Sequence, residues 1–265
     1  MRPLLVSLPV GIGAVRGLVK EVSKPFARPL VVGGARELAA VLRRELARGA
    51  QPGAVRTDDM PDGAAVLVYV LGHEPTPDDV AALSRARRAR VPIVAVTGQD
   101  DTAIPYVLAT DVVRLNPGEG FPLDAIARVI AARLGEEAAP LAGRVPLLRG
   151  AVCDQLVAAC ALRNGVIGAA EFVPGDDLPA LALNQLRLVL RLEQAYGLEI
   201  DLRERLPELA ATLGAGLGLR ALARKLLELL PVTGWVVQGA VAYAGTRVLG
   251  DAAIRRLEAA QAATS

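Results

Sequence analysis

The sequence predicts a parallel α/β sheet with helices on both faces, followed by an all-helical domain. Three observations carry that prediction. Between Pro29 and Leu134, short apolar, β-branched runs alternate with amphipathic stretches, the rhythm of strand–helix–strand units. One run, Ala64 to Leu71, is apolar throughout, as a strand buried on both faces should be. Near Gly135 the strand signals stop, and apolar residues then recur at helical spacing. The 265 residues suffice for two ordinary domains. The expected division is an N-terminal helix over 1–28, an α/β domain over 29–138 and a helical domain over 139–265.

Gly11 to Val22 reads as a short amphipathic helix closed by Pro25. Arg2 and the apolar run Leu4 to Val15 resemble a secretory leader only superficially, because Pro9 and two glycines interrupt the run and no small-residue cleavage site follows. Pro29 to Gly34 is a short strand ending in glycines. Leu38, Val41, Leu42 and Leu46 give Ala35 to Arg48 a helical spacing, which Gly49 to Gly53 breaks. Ala54 to Thr57 is a second short strand, and Ala64 to Leu71 the central one. Thr76-Pro-Asp-Asp79 marks a helix start, with a hydroxyl cap, Pro at the first position and acids in the first turn. That helix runs to about Arg90. Val91 to Thr97 and Asp111 to Leu115 are strands. Pro122 to Leu134 is a helix with Leu123, Ile126, Val129, Ile130 and Leu134 on one face.

Composition excludes several classes. The chain is 52% hydrophobic, too apolar for a disordered polypeptide. Its two cysteines, Cys153 and Cys160, rule out a disulfide scaffold or a Cys-rich zinc module. They lie two helical turns apart on one face, too distant to bridge each other, and fit core packing. A single His removes every multi-His metal site. Few aromatics and a net charge of +2 argue against a dedicated nucleic-acid binder. Only Lys20, Lys24 and Lys225 among the 30 basic residues are lysine, a bias that with abundant Ala suggests a GC-rich genome more readily than a function.

In open parallel sheets ligands bind beyond the carboxyl ends of the strands, so chemistry is sought at Gly33-Gly34, Gly72-His73-Glu74, Thr97 to Asp100 and Asn116 to Gly118. A P-loop needs Gly-x-x-x-x-Gly-Lys and then Ser or Thr, to wrap, neutralise and complex a triphosphate. The first strand end offers Gly33-Gly34-Ala35-Arg36-Glu37-Leu38, with no lysine, no hydroxyl and too short a loop. Arg36 is placed to meet an anion at the helix start. The plainer reading of the two glycines is a tight strand-to-helix turn. Thr97-Gly98-Gln99-Asp100 stands where a GTPase carries Asn-Lys-x-Asp, and Asp100 matches only the last position. His73 beside Glu74 is a candidate general base, but no nucleophile elbow accompanies it, and a solvent-facing loop His is the simpler reading. Arg85, Arg87, Arg88 and Arg90 form a basic cluster on one helix, either a phosphate or anionic-lipid contact or an ordinary solvated face. The order of elements resembles a P-loop GTPase sheet with degenerate ligand loops.

The second half reads as helices over Val145 to Phe172, Leu181 to Tyr196, Leu206 to Leu230 and Val232 to Ala260. Asp201 caps a short helix before Pro207. The last two helices are rich in small residues, which let helices approach closely in a soluble bundle or in a bilayer. Arg220, Arg224 and Lys225 on one and Arg247 on the other oppose a membrane span. Gln185 to Tyr196-Gly197, Leu213 to Arg220, Leu230-Pro-Val-Thr-Gly-Trp235, and Ala242-Tyr-Ala-Gly-Thr246 with Gly250 resemble the YcjF-like bacterial domain of unknown function. That domain occurs behind Era-like or TrmE-like GTPase domains. The resemblance covers roughly residues 150–260 and implies association with GTPase-like modules and with membranes, but no reaction.

The expectation is therefore a non-catalytic GTPase-like binding or scaffold protein, cytoplasmic and at the inner face of the membrane where it meets one. No intact catalytic motif is present, and no cofactor, metal or nucleic-acid partner is expected. The helical domain would meet a protein partner or a second copy. The alternative is an atypical guanine-nucleotide-binding protein or GTPase, in which Gly33, Gly34 and Arg36 hold phosphate and Asp100 reads the base. A third reading inserts the last two helices into a membrane as a hairpin.

Overall fold

A computed structural model describes residues 12–24, 26, 28–57, 61–99, 103–116, 118–170, 178–198 and 235–263. Two compact units emerge. One holds the described residues within 25–155 and 194–198, and the other holds those within 1–24, 156–193 and 199–265.

The first unit is built on five parallel strands: β1 (Leu30–Gly34), β2 (Val55–Thr57), β3 (Val66–Leu71), β4 (Ile93–Thr97) and β5 (Val112–Arg114). Their order is β2-β1-β3-β4-β5, the doubly wound arrangement whose switch point lies between β1 and β3. The register sets Val31 beside Leu67 and Tyr69 beside Ala95. Every residue of β3 and β4 is buried, so the alternation of an exposed sheet is missing and the run is continuously apolar. Val31, Leu67, Tyr69, Ile93 and Ala95 share one face and pack with Ala82, Leu83 and Ala86 of helix α3 (Pro77–Arg88). Helix α2 (Arg36–Leu46) packs on β1 and β2, and α4 (Leu123–Leu134) on β4 and β5. Leu42, Leu46, Ile126 and Ile130 are fully buried on these two helices.

Helix α3 begins as its sequence requires. The Thr76 hydroxyl accepts from the Asp79 N–H and the Asp79 carboxylate accepts from the Thr76 N–H, a reciprocal cap with Pro77 at the first position. It ends at Arg88, with Arg90 in the left-handed region at φ 55°. Two expectations are corrected at the sheet's far edge. Asp111 belongs to a 3₁₀ turn (Ala109–Asp111), so β5 starts one residue later. Ala138–Arg144 forms an additional short helix, α5, with Ala138, Ala139, Leu141 and Ala142 buried.

The expected helix over Val145 to Phe172 is a 3₁₀ turn (Pro146–Leu148) followed by α6 (Arg149–Ala170). Phe172 lies outside the described residues. The second unit comprises α1 (Ile12–Val22), α6 from Leu156, α7 (Leu178–Ala195) as far as Glu193, and α8 (Trp235–Ala262). Leu18, Val19 and Val22 of α1 pack on Leu186 and Leu190 of α7. Helices α6 and α8 approach closely: a Cβ on Gly239 would sit 2.8 Å from the Gly165 carbonyl oxygen. A buried amide ties three helices together. Asn164 donates to the Thr246 hydroxyl at 2.9 Å and accepts from Asn184 at 3.0 Å. Cys153 and Cys160 are buried and unbridged. The expected Leu206 to Leu230 helix lies outside the described residues. Among the described residues no helix is long and apolar enough to cross a membrane.

Candidate functional site

The β1 strand end is a packing joint. A single residue, Ala35, separates β1 from α2, and its N–H donates to the Val70 carbonyl of β3 at 2.8 Å. Gly34 stands at φ 99°, and a Cβ there would overlap that same carbonyl group. A Cβ on Gly33 would lie 3.3 Å from the Tyr69 ring. Both glycines are therefore accounted for by how closely β1 approaches β3. Arg36 is exposed at the start of α2, where Ala35 supplies no side-chain cap.

The β3 strand end turns into the α3 cap. Tyr69 is 7% exposed and donates its hydroxyl to Asp79 Oδ1 at 2.8 Å. Burial raises the Asp79 pKa, yet hydrogen bonds from the Thr76 side chain, the Thr76 N–H and the Tyr69 hydroxyl outweigh it. Together with attraction to His73 they hold the carboxyl below its ordinary value. His73 is exposed, and its Nδ1 donates to the Glu74 carbonyl at 2.7 Å. The neighbouring carboxylate of Asp79 is thus occupied as a helix cap, with three donors already directed at it.

At the end of β4, Thr97 is buried and its hydroxyl accepts from the Gln99 N–H at 3.1 Å. Arg114 of β5 donates to the Gln99 carbonyl. Asn116 donates to Glu119 at 2.7 Å across the following turn. Asp100 lies outside the described residues. Of the residues sought for nucleotide binding, Gly33 and Gly34 stand together at the β1 end and Arg36 follows on α2. Among the described residues no group of three or more His, Cys, Asp or Glu is placed to hold a metal ion.

A second concave feature lies at the opposite, amino edge of β4. It is a cavity of about 450 Å³ bordered by Arg87, Arg90, Tyr106, Asp111 and Arg133. Two of the four arginines in the α3 cluster reach it, and Arg85 and Arg88 do not border it. Sequence reasoning missed its other walls, because Tyr106 sits in a loop and Arg133 lies in the last turn of α4. The one available signal was the non-glycine residue in the glycine position after α3. No protein-family model matches the chain, and no curated protein matches it either.

Proposed function

We propose that this chain is a non-catalytic, GTPase-like binding or scaffold protein, with the helical unit as its interaction surface and peripheral membrane contact as its setting. The β1–α2 turn carries this reading. A phosphate cradle needs free loop N–H groups, and here the turn is one residue long with its N–H bonded to β3. The missing lysine and hydroxyl after Gly34 point the same way. Residues that carry the YcjF-like resemblance are packing residues: Gln185 and Thr246 in the helical unit and Tyr196 in the sheet unit are buried, and a Cβ on Gly250 would crowd Val157 at 2.6 Å.

Thermal unfolding with GTP, GDP and ATP plus magnesium tests this. A nucleotide at 100 times its Kd would stabilise by about 2.7 kcal/mol. No shift that depends on Arg36 is expected. A magnesium-dependent GTP shift abolished by Arg36→Ala would establish the alternative guanine-nucleotide reading in its place.

A further inference from the structure

Independently of that reading, we propose that the cavity at the amino edge of β4 binds a phosphate monoester. Three arginines, Arg87, Arg90 and Arg133, border it against one acidic residue, Asp111. Asp111 is already matched, since Arg133 Nε lies 3.2 Å from its Oδ2. Among the described residues no ion pair engages Arg87 or Arg90, and they add positive charge at one mouth. Guanidinium forks match the oxygens of a phosphate group better than any other side chain does. The volume of about 450 Å³ falls in the range of small-ligand sites, roughly 300–1,000 Å³. Val91 and Ile93 supply an apolar wall for the organic part.

A second observation separates this cavity from an ordinary arginine-rich surface. The non-glycine residues with left-handed backbones among the described residues are Arg90 at φ 55° and Tyr106 at φ 66°, and both border it. Arg90 holds the position just past α3, where its N–H bonds to the Arg87 carbonyl and the Val91 N–H to the Ala86 carbonyl. That closure favours glycine. An arginine there opposes the local backbone preference and delivers a cation to the cavity. Tyr106 is likewise held with half its surface exposed, at 51%, instead of turning into the core. Strained residues that gather at one cavity are a mark of ligand sites.

Isothermal titration of the full-length protein with phenyl phosphate tests the site, with vesicles of phosphatidylcholine carrying phosphatidic acid as a second arm. One site per chain is expected, weakened at least tenfold by Arg87→Ala and by Arg90→Gly and unchanged by Arg85→Ala. Arg90→Gly relieves backbone strain, so a cooperative thermal transition at or above that of the unsubstituted protein keeps its loss of binding interpretable. Binding of phenyl phosphate assigns a soluble ligand. Binding to the vesicles alone, lost in the same two variants, assigns the same chemistry to a lipid headgroup. Failure of both probes to bind, or binding indifferent to Arg87 and Arg90, overturns the proposal. Neither result depends on Arg36, so it leaves the nucleotide question separate.

Discussion

The two ends of the sheet treat glycine in opposite ways. At the carboxyl end of β1, Gly34 occupies a left-handed position that β3 closes to any side chain. At the amino edge of β4, Arg90 occupies a left-handed position where glycine would be easiest. The first follows local sterics and needs no functional explanation. The second departs from them, and the departure brings a guanidinium to a cavity. A residue that obeys its backbone says how the chain folds; one that defies it points to what the fold is used for.

Substitutions can break or sharpen this contrast. The largest effect is expected from Gly34→Ala, which collides with the Val70 carbonyl and adopts an unfavourable φ. A loss of about 3–5 kcal/mol is expected in urea unfolding; a near-neutral result would mean that β1 can withdraw from β3 and open its turn. Thr76→Ala removes the α3 cap and should cost about 1 kcal/mol. It also tests Asp79. The folded state holds this carboxyl below its ordinary value, so its stabilisation is full above the unfolded pKa of about 3.9 and is lost as pH falls through the folded value. Thr76→Ala should flatten that acid-side loss in unfolding curves collected from neutral to acid pH. The smallest effect has the opposite sign. A left-handed non-glycine residue costs about 1–2 kcal/mol, and glycine returns about 0.4–1 kcal/mol through unfolded-chain entropy. Arg90→Gly should therefore raise stability by about 0.5–1 kcal/mol. A drop instead would show that the Arg90 side chain is structural and would remove the contrast.

Legibility followed the range of the interaction. The Thr76 cap was readable because its partner is three residues away. Strand β3 was readable because burial on both faces leaves an unbroken apolar run. Helix α5 was not, because Ala-Ala-Pro-Leu-Ala-Gly-Arg has weak helical preference. Tertiary contacts bury its alanines and Leu141, and a Cβ on Gly143 would crowd the Gly197 backbone at 3.2 Å. The buried amide cluster was equally hidden, since Asn164, Asn184 and Thr246 come from three different helices.

The sequence by itself determined the order of elements, the central strand, the α3 cap and the absence of a P-loop lysine, because each is written in neighbouring residues. Tertiary structure alone decided that the glycine pair is filled by β3 and that Arg87, Arg90, Tyr106 and Arg133 meet at one cavity. Both outcomes depend on distances between segments far apart in the chain, and those distances are fixed only when the sheet closes and its helices dock.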